Sequence, residues 1–226
     1  MKVSRSLKEL GLKVNAERER CLKHTGQEPG VAQLAEILQT PEELTPAVYQ
    51  YWKGIKDKRR IVINDGIDDR LIESVFIPLM DMDNDGTGEP IELILCTQGG
   101  SVLDGMSLCN LIDNLKTPTI VRVISYAYSM GAYILMAGYS NPNVHKVAYP
   151  FSTALIHGGS LNLEGAAGSV KDTMEFQDKL DNKIKEYVLS HSKFTEQEYE
   201  RLDRIEAWLT AEDMLKYGLI DEIVGG

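Results

Sequence analysis

Apolar positions change their spacing repeatedly along the chain from residue 59 onward. Short apolar runs rich in β-branched residues indicate buried strands, and segments with apolar residues on one helical face indicate amphipathic helices. The predicted strands span residues 60–64, 91–96, 119–124, 146–148 and 153–156, and the predicted helices span 69–80 and 102–115. This alternation predicts an α/β fold, with a parallel-rich sheet and helices on its faces.

The first fifty residues follow a different pattern. Residues 7–22 carry mixed charges at helical spacing, residues 32–38 are a short amphipathic stretch, and Thr40 before a proline is typical of a helix start. These segments have too little apolar surface to fold alone. We therefore expect residues 1–50 to be a helical N-terminal extension that packs on the main domain, residues 51–226, or on a neighbouring subunit.

The composition of the chain argues against several classes of function. The net charge of −10 argues against nucleic-acid binding as the main activity. No apolar run approaches the length of a membrane span, and the N-terminus lacks the apolar stretch of a signal peptide. Three cysteines without metal-ligand spacing are typical of reduced thiols. We therefore expect a cytoplasmic protein that binds neither nucleic acid nor membrane.

Ser129 lies between the predicted strand 119–124 and an apolar helical segment that follows it. A serine in such a turn can project its hydroxyl, and the backbone N–H groups at the start of the helix point outward. A nucleophilic serine needs such a position, because the same turn can help to bind the oxyanion that the serine creates. The alternative is a serine that only caps a core helix, since serine is a favoured N-cap residue.

Residues 97–102 form a second turn between a predicted strand and a helix. Gly99 and Gly100 allow backbone angles that are closed to other residues, and they allow close approach by a ligand. Their N–H groups suit an anion or an oxyanion, although this motif alone also fits an ordinary tight turn. This turn and Ser129 follow neighbouring strands, at the sheet edge where open α/β folds place their sites.

His157 ends an apolar predicted strand and precedes two glycines. Together with a serine in a strand-to-helix turn, it is a candidate general base. The alternative is a histidine with an ordinary structural partner. The other three histidines, His24, His145 and His191, lie in polar surroundings and are expected to be structural.

An acidic loop, residues 81–92, matches a calcium-binding loop by the spacing of its carboxylates. A predicted strand follows, however, where a calcium-binding loop of this kind needs a helix. Gly88 and Pro90 also interrupt the pattern. An acidic, solvated turn is therefore favoured, and neither a metal nor a cofactor is expected.

The order of these motifs resembles the proteolytic subunit of the Clp protease, ClpP. Gly-Gly-Ser-Val, Ser-Met-Gly-Ala, Ile-His, a long helix, Leu-Thr-Ala and Gly-Leu-Ile-Asp follow one another within residues 51–224. The resemblance implies a serine endopeptidase that uses no cofactor. The residues that it assigns are Ser129 as nucleophile, His157 as base, the N–H groups of Gly100 and Met130 as oxyanion hole, and Glu206 at the position of the catalytic aspartate.

The resemblance also implies an assembly. Members of this family enclose unfolded polypeptides in two stacked seven-fold rings, a tetradecamer, whose rings meet through a handle on each subunit, and an AAA+ unfoldase can serve them. Residues 158–192 match the handle, with a glycine-rich strand at 158–168 and a long helix at 172–190. The fold implied is a ClpP/crotonase-like one with a protruding handle, and the protein implied is a homo-oligomer.

Several positions depart from the family pattern. Gln98 stands where proline is usual, three extra residues fall around 141–143, and the first fifty residues differ from the family's short axial loop, which leaves an ATPase partner open. Glu206 replaces aspartate, and Asp203 lies three residues earlier. A capping-box pattern at residues 195–198 predicts a helix to Glu206, so that both carboxylates would share a helix face and either could orient the histidine.

Two other functions remain open at this stage. An acyl-CoA hydratase or isomerase of the crotonase type shares the glycine turn and the Gly-Leu-Ile-Asp ending, but not the serine and histidine motifs. A catalytically weak ring subunit or adaptor would keep the fold without efficient hydrolysis. The glutamate at position 206 motivates this second alternative.

Overall fold

The structure, a computed structural model, describes residues 31–38, 58–159, 167–202 and 206–225, and eight further residues between 13 and 24. The strands are β1 (Arg60–Ile63), β2 (Ile91–Thr97), β3 (Thr119–Tyr128), β4 (Val144–Ala148), β5 (Thr153–Ile156), β6 (Ala207–Leu209) and β7 (Glu222–Ile223). In this described part they form one sheet, in which β1, β2, β3, β4 and β7 are parallel neighbours in that order. The predicted α/β fold with a mostly parallel sheet is confirmed.

Helices flank this sheet. They are α1 (Val31–Leu38), a π-helical segment (Ile72–Phe76) that continues into α2 (Ile77–Asp83), α3 (Val102–Asp113), α4 (Met130–Met136), α5 (Ala167–Ser190), α6 (Glu196–Leu202) and α7 (Ala211–Lys216). Among the residues with described positions, no helix is long and apolar enough to cross a membrane. The helix α1 matches the predicted helix 32–38, whereas the division into residues 1–50 and 51–226 stays a prediction.

The strand β3 is four residues longer than predicted, and this length positions the site. Its first half pairs with β4, and its last residues, Tyr126 to Tyr128, pair with Thr153 to Leu155 of β5. The sequence pattern suggested an end at Ile124 because polar Ser125 follows. The second partner strand supplies the backbone hydrogen bonds that extend β3, so Ser129 emerges beside the ends of β2 and β5.

The core lies between the sheet and the helices that flank it, among them α3 and α4. Alternate residues of β2 are buried, from Ile91 to Thr97. The helix α4 packs on α3 and on the ends of β2, β3 and β5. Gly105 makes the approach of α3 possible, because a Cβ atom at this position would lie 2.1 Å from Cγ of Met130. This packing fixes the first residue of α4 against the neighbouring helix.

The predicted helix 69–80 is wider than an α-helix over part of its length. The N–H of Ile77 donates to the carbonyl of Ile72, five residues earlier. Pro78 follows and has no N–H to offer the carbonyl of Ser74, four residues before it. The loss of that hydrogen bond explains a local π-helical turn, which a hydrophobic pattern alone does not predict.

The long helix of the predicted handle is present as α5. It begins at Ala167, five residues before the predicted start, while residues 160–166 of the expected handle strand lie outside the described residues. Its last turns are anchored to α3, because the Tyr187 hydroxyl donates to Oδ2 of Asp113 at 3.0 Å. The ring of His191 stacks on Tyr187 at 3.8 Å and lies 3.4 Å from the same oxygen. Burial raises the pKa of the Tyr187 hydroxyl well above its ordinary value, which keeps it a donor.

Candidate active site

Ser129 occupies a strained turn between β3 and α4. Its backbone has φ 52° and ψ −123°, and among the described residues other than glycine only Arg59 also has a positive φ. Such a conformation costs roughly 1–3 kcal/mol and is concentrated at functional sites. The backbone N–H of Ser129 donates to the Leu155 carbonyl at 2.8 Å, which ties the turn to β5. Although Ser129 stands at the N-cap position of α4, its side chain makes no capping hydrogen bond. The hydroxyl is therefore not occupied in stabilising the helix.

The glycine turn after β2 lies directly against the Ser129 turn. A Cβ atom at Gly99 would come within 2.8 Å of the Met130 nitrogen and of the Ser129 Cβ. On the other side, Gly100 is held to Ile67, whose carbonyl accepts from the N–H of Ser101 at 2.7 Å. Both glycines have positive φ values, 89° and 150°. Only glycine allows the two turns to approach this closely.

Two backbone N–H groups at this junction are free to bind an anion. Among the described residues, the N–H groups of Gly100 and Met130 have no hydrogen-bond acceptor. Met130 is the first residue of α4, where an N–H has no partner within the helix and carries the positive end of the helix dipole. These are the two groups that the sequence resemblance assigned to an oxyanion hole.

His157 follows β5 and is half-buried. Its Nδ1 lies 2.7 Å from the carbonyl oxygen of Gly158. Because a carbonyl only accepts, the proton of this hydrogen bond belongs to Nδ1. A neutral imidazole in this tautomer has a free lone pair on Nε2, which is the form that a general base requires.

Ser129 and His157 line one cavity of about 940 Å³. Side chains of α3, α4 and α5 surround it. Its apolar wall is formed by Val102, Leu103, Met106, Met130, Tyr133, Phe176, Leu180 and Ile184. A polypeptide segment with a large apolar side chain fits a cavity of this size and chemistry.

Glu206 lies close to this histidine in the strand register, but among the described residues no hydrogen bond joins the two side chains. Ile156 pairs with Ala207 between β5 and β6, so one further step along both strands brings His157 opposite Glu206. The Glu206 side chain is exposed, and its Oε2 accepts a hydrogen bond of 3.3 Å from the indole nitrogen of Trp208. Sequence reasoning missed Trp208, although two residues apart in a strand share a face.

The prediction of a helix that reaches Glu206 is wrong. The capping box is present, since Glu198 accepts from the backbone of Thr195 and returns its own N–H to the threonine hydroxyl. However, α6 ends at Leu202, and Glu206 lies outside any helix, directly before β6. The capping box marks where a helix begins and carries no information on where it ends. Asp203 lies outside the described residues.

The acidic loop is held by the protein's own groups. Oδ1 of Asp83 accepts from the backbone N–H groups of Lys116 and Thr117 at 2.9 and 2.8 Å. Hydrogen bonds from Thr87, with Arg59 nearby, hold the pKa of Asp85 below its usual range. In the described part of the chain, no group of three or more histidine, cysteine, aspartate or glutamate residues could hold a metal ion. The loop therefore joins α2 to the sheet through protein contacts.

Comparison with known proteins agrees with the motif order. A family model described as Clp protease matches residues 42–226. The chain is similar to three proteins named ATP-dependent Clp protease proteolytic subunit 2 from Prochlorococcus marinus. The protein of strain MIT 9312 is 27% identical over 192 residues, which cover 81% of this chain and 92% of the relative. The protein of subspecies pastoris is 28% identical over 193 residues (81% and 92%), and that of strain NATL2A is 26% identical over 192 residues (81% and 93%).

Proposed function

Because the chain belongs to the Clp protease family, we propose that it is a serine endopeptidase in which Ser129 is the nucleophile and His157 the general base. The observation that carries this proposal is the strained Ser129 turn, packed against the glycine turn and opening into a cavity that His157 also lines. The family match gives no support to the acyl-CoA alternative.

The reaction proceeds through an acyl-enzyme. Oγ of Ser129 attacks the peptide carbonyl while Nε2 of His157 takes the hydroxyl proton. The N–H groups of Gly100 and Met130 stabilise the oxyanion that forms. His157 then gives the proton to the leaving amine, and a water molecule, activated by the same base, hydrolyses the ester. No cofactor is needed for these steps.

A carboxylate that accepts from Nδ1 of His157 would complete the triad. Glu206 is the candidate, because the β5–β6 register brings it opposite the histidine. In the structure described above, Nδ1 donates to Gly158 instead, and Glu206 accepts from Trp208. In catalysis the histidine exchanges the carbonyl for the carboxylate, which stabilises the imidazolium better than a neutral acceptor does.

The substrates are unfolded polypeptides, and the protein acts as a cytoplasmic homo-oligomer of stacked rings. The support for this part is the family membership together with α5, a helix of 24 residues that carries the exposed apolar side chain of Met174 outside the cavity. Apolar side chains on a protruding helix favour contact with another subunit. An AAA+ unfoldase is a candidate partner for delivery of substrates.

Fluorophosphonate labelling followed by intact mass spectrometry tests the nucleophile. We expect the wild-type chain to gain one label and the Ser129→Ala variant to gain none, with hydrolysis of short fluorogenic peptides lost in parallel. Ser101→Ala is the matched control, since Ser101 lines the same cavity but caps α3 through its hydroxyl. A label that persists in Ser129→Ala, or undiminished peptide hydrolysis, refutes the assignment. A folded wild-type protein that takes no label favours the catalytically weak ring subunit.

A further inference from the structure

Trp208 connects the candidate acid to the strand that carries the nucleophile. Its indole N–H donates to Oε2 of Glu206 at 3.3 Å. Its ring meets the ring of Tyr128 edge-on, with 5.3 Å between centroids and 80° between planes. Tyr128 is the last residue of β3 and directly precedes Ser129. One side chain therefore contacts both the candidate acid and the residue that precedes the proposed nucleophile.

The ring that supports Trp208 is itself fixed. Tyr128 packs on Tyr126 with 4.8 Å between ring centroids, and its hydroxyl lies 3.0 Å from Oγ1 of Thr153. Leu155 of β5 pairs with Tyr128 on one side and with Trp208 on the other. The aromatic contact therefore spans three adjacent strands and restricts the direction in which the indole N–H points.

Glu206 needs such a restraint more than an aspartate would. A glutamate has one methylene more than an aspartate, so an exposed glutamate loses more side-chain entropy when it is held in one conformation. Trp208 binds one carboxylate oxygen, Oε2, and leaves Oε1 free for a second donor. Alternation along β6 puts Glu206 and Trp208 on one side of the strand, the side that Leu155 and His157 share.

We propose that Trp208 is a positioning residue, whose indole N–H holds the Glu206 carboxylate in the place from which it can orient His157. This inference rests on the proposed function. It adds the side chain that holds a glutamate at the position of the catalytic aspartate. Trp208 acts through Glu206 and does not take part in the reaction itself. An N–H donor to a carboxylate is a charge-assisted hydrogen bond, which is stronger than a neutral one when it shortens below the 3.3 Å seen here.

The test is a double-mutant cycle on peptide hydrolysis with Trp208→Phe, Glu206→Ala and the double variant. We expect Trp208→Phe to lower kcat about tenfold with KM unchanged, on the scale of outer partners that orient a functional group. In the Glu206→Ala background the same change should have no further effect, because there is no carboxylate left to hold. The acid limb of the pH profile of kcat/KM should shift to lower pH in Trp208→Phe, as it should in Glu206→Ala, since a displaced carboxylate stabilises the imidazolium less.

A second variant separates the N–H from the ring. Replacement of Trp208 by β-(3-benzothienyl)alanine keeps the size and stacking of the side chain and exchanges the N–H for sulfur. We expect this variant to show the same tenfold loss as Trp208→Phe. Full activity in the benzothienyl variant, or an equal loss from Trp208→Phe with and without Glu206, overturns the inference and leaves the proposed function standing. A wild-type protein that neither hydrolyses peptides nor takes the fluorophosphonate label overturns both.

Discussion

At the scale of single residues, two positions lower the stability of the folded state, one through its backbone and one through its buried side chain. Ser129 has a backbone conformation that favours glycine, yet its hydroxyl caps nothing. Lys146 is the second, with 1% of its surface exposed. Its Nζ lies 3.4 Å from the Gly218 carbonyl and 5.3 Å from the centroid of the Tyr139 ring.

Lys146 makes stability depend on pH. Burial lowers the pKa of Lys146 to about 8, although the negative charges of Asp221 and Asp113 act to raise it. The pKa in the unfolded chain is 10.5. Between these two values the unfolded chain binds more protons than the folded one, so the contribution of Lys146 to the free energy of unfolding rises with pH. Below about pH 8 the buried side chain is a charged ammonium group, which lowers the stability of the folded protein.

We therefore expect the substitution Lys146→Met to stabilise the protein most, relative to the wild type, near neutral pH. The free energy of unfolding of the variant minus that of the wild type should fall by up to about 3 kcal/mol between pH 7 and pH 10. Chemical denaturation at a series of pH values measures this difference. Lys116→Met, which removes an exposed lysine, is the matched control for the loss of a positive charge. A difference for Lys146→Met that does not change with pH contradicts the prediction.

At the scale of elements, hydrophobic spacing predicts the existence and order of β1 to β5 better than their ends, and it does not predict the short strands β6 and β7. β5 was predicted residue for residue, because a short apolar run bounded by polar and glycine residues leaves no other choice. The end of β3 depends on a partner strand that lies 25 residues away, and no local pattern contains that information. The same reason explains why the local pattern predicts a helix up to Glu206, since the strand that begins at Ala207 pairs with Ile156, far back in the chain.

The candidate site was predictable where it rests on glycine and serine turns, and less so where it rests on pairing across strands. The contact between the turns at Gly99 and Ser129 follows from two adjacent parallel strands that end at one edge. The hydrogen bond between Trp208 and Glu206 follows only once β6 is known to be a strand. Tertiary pairing is thus the part of the site that local sequence does not determine.

The position of Glu206, directly before β6, leads to a prediction about the carboxylate that orients His157. Glu206→Gln keeps the size of the side chain but removes its charge, and we expect turnover to fall by up to roughly 10⁴, as when a triad aspartate is neutralised. Asp203→Asn is the matched control and should be silent. Peptide turnover and active-site labelling, measured together, check this. If Asp203→Asn loses turnover and Glu206→Gln keeps it, the two residues exchange roles.

At the scale of the whole molecule, the outer side of α5 is the surface expected to meet a partner ring. Asp172 and Glu175 are exposed on this helix, as is the apolar side chain of Met174, and Glu175 forms an ion pair of 3.8 Å with Lys171. If α5 joins two rings, reversal of these charges places like or unmatched charges within the ring contact. The contact should weaken while each subunit keeps its fold, because exposed ion pairs contribute little to folding.

The paired variant Asp172→Lys with Glu175→Lys should therefore convert double rings to single rings. Analytical ultracentrifugation and native mass spectrometry measure the subunit count. Asp69→Lys with Glu73→Lys changes the net charge by the same amount at exposed positions outside α5, and it should leave the double ring intact. A wild-type protein that is monomeric at micromolar concentration rules out the ring assembly.

The conformation of Ser129 also bears on the choice between a peptidase and a scaffold. A subunit that serves only as a scaffold gains nothing from a serine at φ 52°, and a single change to glycine would relieve the strain without loss to the fold. The strained backbone has a purpose only if the hydroxyl at this position reacts, so the conformation favours the proposed peptidase over a purely architectural subunit.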